Sequence, residues 1–179
     1  MSFFIAIHGD LKEHDFDYLG DLQAVRMEKT LPSGMPDNIR KEVLRKREES
    51  AKSYYASQVM NGPPRFLTHS SKLSDAMDLM RIYGIRHIPI VEKSILVGML
   101  SDRDLLRLES NTDFDSLILK DVMTTLIVAC DKNTSLRAIA LVMFKENISG
   151  MPVVDNKKLV GMITRTDILK MVIENKFSF

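Results

Sequence analysis

The sequence predicts an α/β (α+β) protein: two tandem β-α-β-β-α units with pseudo-twofold symmetry, preceded by an N-terminal strand and helix extension. Two observations carry this. Residues 59–108 and 122–171 align without gaps at a constant shift of 63. Val59-Met60 recurs as Val122-Met123, Pro89 as Pro152, Leu96-Val97-Gly98-Met99 as Leu159-Val160-Gly161-Met162, and Asp104 as Asp167. Within each copy, apolar residues then pass through strand and helix spacing in the same order. Two copies are too few for a solenoid, which stacks several units to bury its core. They suit a pair in which each unit covers the other's apolar face.

The elements follow in order. Phe3–Ile7 has the composition of a strand, residues 8–30 show no clear period, and Leu31–Pro36 reads as a loop. Asp37 or Asn38 can cap a helix running to about Ser57, whose mixed charges suit a solvated face. In the first unit a strand is expected at Arg65–Thr68, then a helix with apolar positions Leu73, Ala76, Met77 and Met80. In the second unit the matching segments are Leu126–Cys130 and Leu136, Ile139, Ala140 and Met143. The i, i+3, i+4, i+7 spacing buries one helix face. Gly84 and Asn147 stand where each helix should stop, and both residue types tolerate the left-handed conformation of a C′ position. Ile88–Val91 and Met151–Val154 read as short buried strands. Each is followed by a polar turn and a second strand, Ile95–Leu100 or Lys158–Ile163. A last helix begins near Arg103 or Thr166. Gly98 and Gly161 interrupt strands, which marks a bulge or a close approach. The expected organisation is an extension over 1–58 and units over 59–115 and 122–175.

Composition bounds the function. The 179 residues are 45% hydrophobic and 27% charged, with net charge +1, which favours neither nucleic acid nor an anionic membrane as partner. No apolar run approaches a membrane span, and the N-terminus lacks the basic start of a secretory signal. A cytoplasmic location is the default expectation. The single cysteine, Cys130, sits among apolar neighbours and reads as a small core residue. The 12 methionines include Met77, Met80 and Met143 at helical spacing, and with Leu106 these are candidates for core or subunit interface. The four histidines show no metal-ligand spacing, and neither a phosphate loop nor a dinucleotide fingerprint is present. No catalytic residue, metal or required cofactor is predicted.

One motif can carry chemistry. Each second strand leads into Ser101-Asp102-Arg103-Asp104 or Thr164-Arg165-Thr166-Asp167. Ser/Thr-x-x-Asp before an apolar helix is a capping box. The same carboxylate can accept hydrogen bonds from a ribose diol, while the helix N-terminus favours phosphate.

With these motifs in place, both units resemble CBS domains, named for cystathionine β-synthase, and together they resemble a CBS pair, or Bateman module. The resemblance rests on Val-Met at each start, Gly84-Ile85-Arg86-His87-Ile88-Pro89-Ile90-Val91, Val97–Leu106, Ile148–Val154 and Val160–Leu169. It spans roughly residues 58–175. It implies regulation by AMP, ADP or ATP, with S-adenosylmethionine as the alternative, or a structural dimerisation module with empty sites. It implies a homodimer and a target protein acting in trans. It points to Asp104 with Ser101, and Asp167 with Thr164, as ribose-gripping residues. It also points to Pro64, Arg65, Ile85 and Met99 in the first unit, and Ile127, Val128, Ile148 and Met162 in the second, as adenine-lining residues. The copies differ ahead of the proline. Arg86, His87 and Arg103 suit a phosphate clamp, to which His87 would contribute if it is imidazolium; the alternatives are that Arg86 and His87 coat the surface, or that His87 stacks against the adenine without charge. Ser149 and Gly150 are small and neutral, leaving Arg165 as the only cation of the second motif.

Overall fold

A computed structural model describes residues 2–20, 34–42, 54–108 and 113–174. Strands β1 (Phe3–Ile7) and β2 (Asp10–His14) form an antiparallel hairpin. Its turn residues, His8 and Gly9, have φ of 50° and 88°, which matches the twist of a two-residue hairpin. A 3-10 turn follows at Asp17–Leu19. Residues 37–42 are helical, and the rest of the helix expected there lies outside the described residues up to position 53. That helix does not reach Ser57. Tyr55 is extended (φ −115°, ψ 160°) and bridged to Ser135, and Ser57 belongs to a separate helix, α1 (Ala56–Val59). The cause is tertiary: Ala56 N and Ser57 N donate to the carbonyls of Thr134 and Lys132 instead of to a preceding turn.

The first repeat continues with α2 (Leu73–Tyr83), β3 (His87–Glu92), β4 (Ile95–Ser101) and α3 (Asp102–Leu105). The second comprises α4 (Leu119–Val122), β5 (Leu126–Asp131), α5 (Leu136–Lys145), β6 (Gly150–Asp155), β7 (Lys158–Thr164) and α6 (Arg165–Ile173). Gly84 and Asn147 do end the long helices with φ of 63° and 52°. Both hairpins turn on two positive-φ residues, Lys93-Ser94 and Asn156-Lys157. Ile90 pairs with Gly98 and Val91 with Leu96, leaving Val97 as an extra residue, and the same bulge leaves Val160 extra in the second repeat. The strand expected at 65–68 is reduced to one parallel bridge, Leu67 with Ile90. Pro63 and Pro64 ahead of it have no N–H to enter a ladder.

The strands form one sheet in the order β2-β1-β5-β6-β7-β4-β3. Its two halves join where Ile95 pairs with Lys158. These are equivalent positions of the two repeats, so the pseudo-twofold axis passes between them. The repeats also exchange their leading segments. Met60 packs on Gly161 and Met123 on Gly98, with no room for a Cβ at either glycine. Asn61 bridges to Met162, and Thr124 to Met99. Ala56, Val59 and Met60 therefore sit in the core of the second repeat, with Leu136, Ile139, Met143 and Ile163. Leu119, Val122 and Met123 sit in the core of the first, with Leu73, Ile88, Ile90 and Leu100.

A third cluster, Ala6, Leu11, Leu96, Ile127, Ala129 and Val154, lets the N-terminal hairpin cover the junction of the sheet halves. Cys130 is buried, and burial pushes its thiol pKa up. Met143 is core, whereas Leu106 is 85% exposed. Among the described residues, no helix is long and apolar enough to cross a membrane, and no group of three or more His, Cys, Asp or Glu could hold a metal ion.

Candidate functional site

A cavity of about 670 Å³ opens between the repeats, within the range of small-molecule sites. The first repeat supplies the segment after Met60 (Asn61, Pro63, Pro64, Arg65), the turn after α2 (Gly84 to His87) and the start of α3 (Asp102, Arg103). The second supplies Ser149, Met162, the start of α6 (Thr164 to Asp167) and Lys170. The exchange of leading segments explains the mixture, because the chain after Met60 is carried across onto β7.

At the floor, Asp167 performs the capping role its spacing predicts. Its Oδ2 accepts hydrogen bonds from Thr164 N at 2.8 Å and Thr164 Oγ1 at 2.6 Å. Its Oδ1 is left over, and accepts from Asn61 Nδ2 at 2.9 Å. The cap and a ligand contact therefore use different oxygens, and only a neutral amide has to move or share for a diol to reach the second one. Asp104 caps in the same way through Ser101 N (2.8 Å) and Oγ (2.7 Å), but its Oδ1 faces Arg107 Nη1 at 3.6 Å.

Of the residues singled out from sequence, the cavity gathers Pro64, Arg65, Ile85, Arg86, His87, Arg103, Ser149, Met162, Thr164, Arg165 and Asp167. Ser101, Asp104, Met99, Ile127, Val128, Ile148 and Gly150 are outside its lining. Ile127 is buried under the N-terminal hairpin, with Met99 packed against the same cluster, and Val128 lies against the second repeat's core. Pro64, Arg65 and Ile85 are thus brought to Asp167 rather than to the aspartate of their own repeat. Sequence reasoning missed Asn61, Asp102, Thr166 and Lys170. Lys170 carried a readable signal, since it stands one helical turn beyond Asp167.

Two expected phosphate ligands have other work. Arg165 donates from Nε to Ile148 O (2.9 Å), and from Nη2 to Met143 O (3.0 Å) and Asn147 Oδ1 (3.3 Å). It thus ties off the C-terminal end of α5, where a cation also suits the helix dipole. His87 lies flat against Gly150, where a Cβ would come within 2.7 Å of the ring, and its Nε2 shares a hydrogen bond of 2.9 Å with Ser149 Oγ. His87 and Gly150 are equivalent positions, so they meet across the pseudo-twofold axis. One is large and the other has no side chain, and this packing accounts for the difference between the copies that a phosphate clamp was expected to explain.

Burial lowers the His87 pKa, and the nearby Arg86 and Arg103 lower it further, against an opposing pull from Asp102 and Asp104. Burial therefore favours the neutral imidazole, the uncharged alternative for His87, over the imidazolium. The sign of its pH dependence follows: the unfolded chain binds the proton more readily, so stability declines as pH falls below about 6.5 and levels off below the folded pKa. Histidine ring NMR should show His87 titrating below the ordinary histidine value of about 6.5, and His87→Gln should flatten this part of the stability profile. A His87 pKa above 6.5 would restore the imidazolium.

Charge on the remaining wall is one-sided. Arg65, Arg86, Arg103 and Lys170 line the cavity, against the acids Asp102 and Asp167. Arg65 is held over the Tyr83 ring, 3.3 Å from its centroid. Three bases remain to meet an anion, with Met162 and Ile85 available to an apolar ring.

Comparison with known proteins gives a consistent set of likenesses. A family model described as the CBS domain matches residues 56–111 and 119–174. The CBS domain-containing protein YhcV of Bacillus subtilis is 31% identical over 120 residues, covering 66% of this chain and 82% of YhcV. Inosine-5'-monophosphate dehydrogenase of Streptococcus pyogenes is 33% identical over 113 residues; the match covers 61% of this chain and 22% of the dehydrogenase. The CBS domain pair of protein MJ0100, solved in complex with 5-methylthioadenosine and S-adenosyl-L-methionine, is 25% identical with a TM-score of 0.62. That match covers 66% of this chain and 99% of the MJ0100 pair.

Proposed function

The chain belongs to the CBS domain family and carries its two copies as a pair, the regulatory module of that family, and from this premise we propose that it binds an adenine nucleotide between the repeats and signals its presence to a partner protein. The observation that supports this best is the cavity itself. Its lining combines Asp167, whose Oδ1 accepts from the neutral amide of Asn61, with Arg86, Arg103 and Lys170. The carboxylate suits a ribose diol, Met162 and Ile85 suit the base, and the cations suit phosphates. In this reading the chain performs no catalysis. Its output is a change in the relative placement of the two repeats, which ligand contacts on both sides of the axis would bias.

The adenosyl ligands of the MJ0100 pair support a second reading, an S-adenosylmethionine sensor. The charge of the wall weighs against it, because the sulfonium and ammonium of that ligand would face bases. Titration calorimetry with ATP, ADP, AMP and S-adenosylmethionine separates the two. ATP and ADP are expected to bind more tightly than S-adenosylmethionine by at least about tenfold, the effect of one charge-assisted contact. The reverse order would establish the second reading instead.

A homodimer belongs to the same proposal. Phe144, Leu169 and Ile173 on α5 and α6 are 76%, 58% and 76% exposed, and the first repeat exposes Ile82, Tyr83 and Leu106. Two chains related by a twofold axis can bury the helix faces of both repeats at once, which makes a second copy the fitting occupant. Light scattering at tens of micromolar should give twice the 20.4 kDa chain mass, and Phe144→Glu should give a monomer. A monomeric wild type would refute the assignment.

A further inference from the structure

We propose that the N-terminal β-hairpin covers the first repeat's counterpart of this cavity, so that each chain takes up one adenine nucleotide, held at Asp167; the inference rests on the functional reading above. The shift of 63 residues maps Pro63–Arg65 onto Leu126–Val128, Met162 onto Met99 and Asp167 onto Asp104. Beside the cavity, the segment holding this stretch makes ladder contacts at Asn61, toward β7, and at Leu67, toward β3. At Leu67 the edge away from β3 is bonded to no strand among the described residues. On β5 that same edge is taken: Phe3–Ile7 pairs antiparallel with Leu126–Cys130 along its whole length. Ala6 stands directly opposite Ile127, which is 2% exposed, and Leu11 joins their cluster with Phe4 and Met99 packed against it. The wall that lines the cavity at Pro64 is therefore covered at its equivalent, Ile127, while Leu126 at the strand's end stays 62% exposed.

The surroundings of the two aspartates agree with the cover, although the net basicity of the two sites is similar. The same shift maps Ser149, Thr166 and Lys170 of the lining onto Arg86, Arg103 and Arg107, so the counterpart keeps these bases and loses only Arg65, which becomes Val128. The spare oxygen of Asp104 faces Arg107, and the Asp104 side chain is 16% exposed. A diol approaching Asp104 must compete with a cation, whereas at Asp167 it competes with the neutral amide of Asn61. The supporting helices differ too, with four residues in α3 against nine in α6.

ATP titrated into the full chain, with native mass spectrometry as the count, should saturate at one nucleotide per chain. Asp167→Asn should weaken uptake at least tenfold, while Asp104→Asn should leave it within about twofold. Hydrogen exchange on the amides of 126–130 should stay slow at saturating ATP. Two nucleotides per chain, loss of binding in Asp104→Asn, or faster exchange in β5 on saturation would each overturn the inference and leave the functional reading standing. Absence of adenine nucleotide binding to the wild type would overturn that reading, and the inference with it. The wild-type count and the exchange measurement need no variant to fold.

Discussion

Asp167→Ala is expected to weaken adenine nucleotide binding by about 1.5–3 kcal/mol, on the order of 10- to 100-fold, while lowering stability by only about 1 kcal/mol. The two effects come from different oxygens. Oδ2 holds Thr164 N and Oγ1, and its loss removes a helix cap. Oδ1 faces Asn61 and the cavity, and its loss removes the charged acceptor for a ribose. Calorimetric affinity and denaturant melts on the same samples separate the two. Asp104→Ala is the matched control, because it loses the equivalent cap from Ser101 without touching the cavity lining. Equal losses of affinity in both variants would mean that the aspartates act through folding alone.

Leu119→Ala should cost about 2–5 kcal/mol, the usual range for emptying a fully buried leucine site. More informative than the size is where the loss appears. Leu119 precedes the second copy in the chain but packs with Leu73, Ile88 and Leu100 of the first. Ala56 and Met60 make the reverse journey into the core around Leu136 and Ile139. The repeats should therefore unfold together in one urea transition, and amides in β6 should lose protection along with those in β3. Two separate transitions, with β6 unaffected, would mean that the cores are independent. The same exchange implies that a fragment cut between the copies leaves each core short of a helix it needs.

The readable parts of this fold are those where one residue type answers one local demand. Gly84 and Asn147 mark left-handed helix stops, and Ser/Thr-x-x-Asp marks helix starts, because backbone geometry and orphan N–H groups leave few alternatives. The bulges beside Gly98 and Gly161 were signalled for a similar reason. What could not be read is who packs on whom. Strand β2 was hidden because Leu11 is its one buried residue, so no alternation shows. Pro64 and Arg65 precede the first repeat's bridge, yet they face Asp167, since the exchange of leading segments has no local signature. Arg165 resembled a phosphate ligand until the carbonyls of Met143 and Ile148 claimed it.

The contact between His87 and Gly150 bears on how such a molecule can come to have unequal halves. Two identical chains meeting on a true twofold axis must present the same residue from both sides. Two histidines there would collide, and two glycines would leave a gap, so a dimer of single units is held to medium-sized compromises at its centre. Joining the copies in one gene lifts that restriction, since each position can then change alone and its opposite can answer. A large ring on one side and bare backbone on the other is a solution open only to the fused form. It also creates a dependence: any side chain gained at position 150 must be matched by a loss at position 87, so these two sites should vary together among descendants of the duplication.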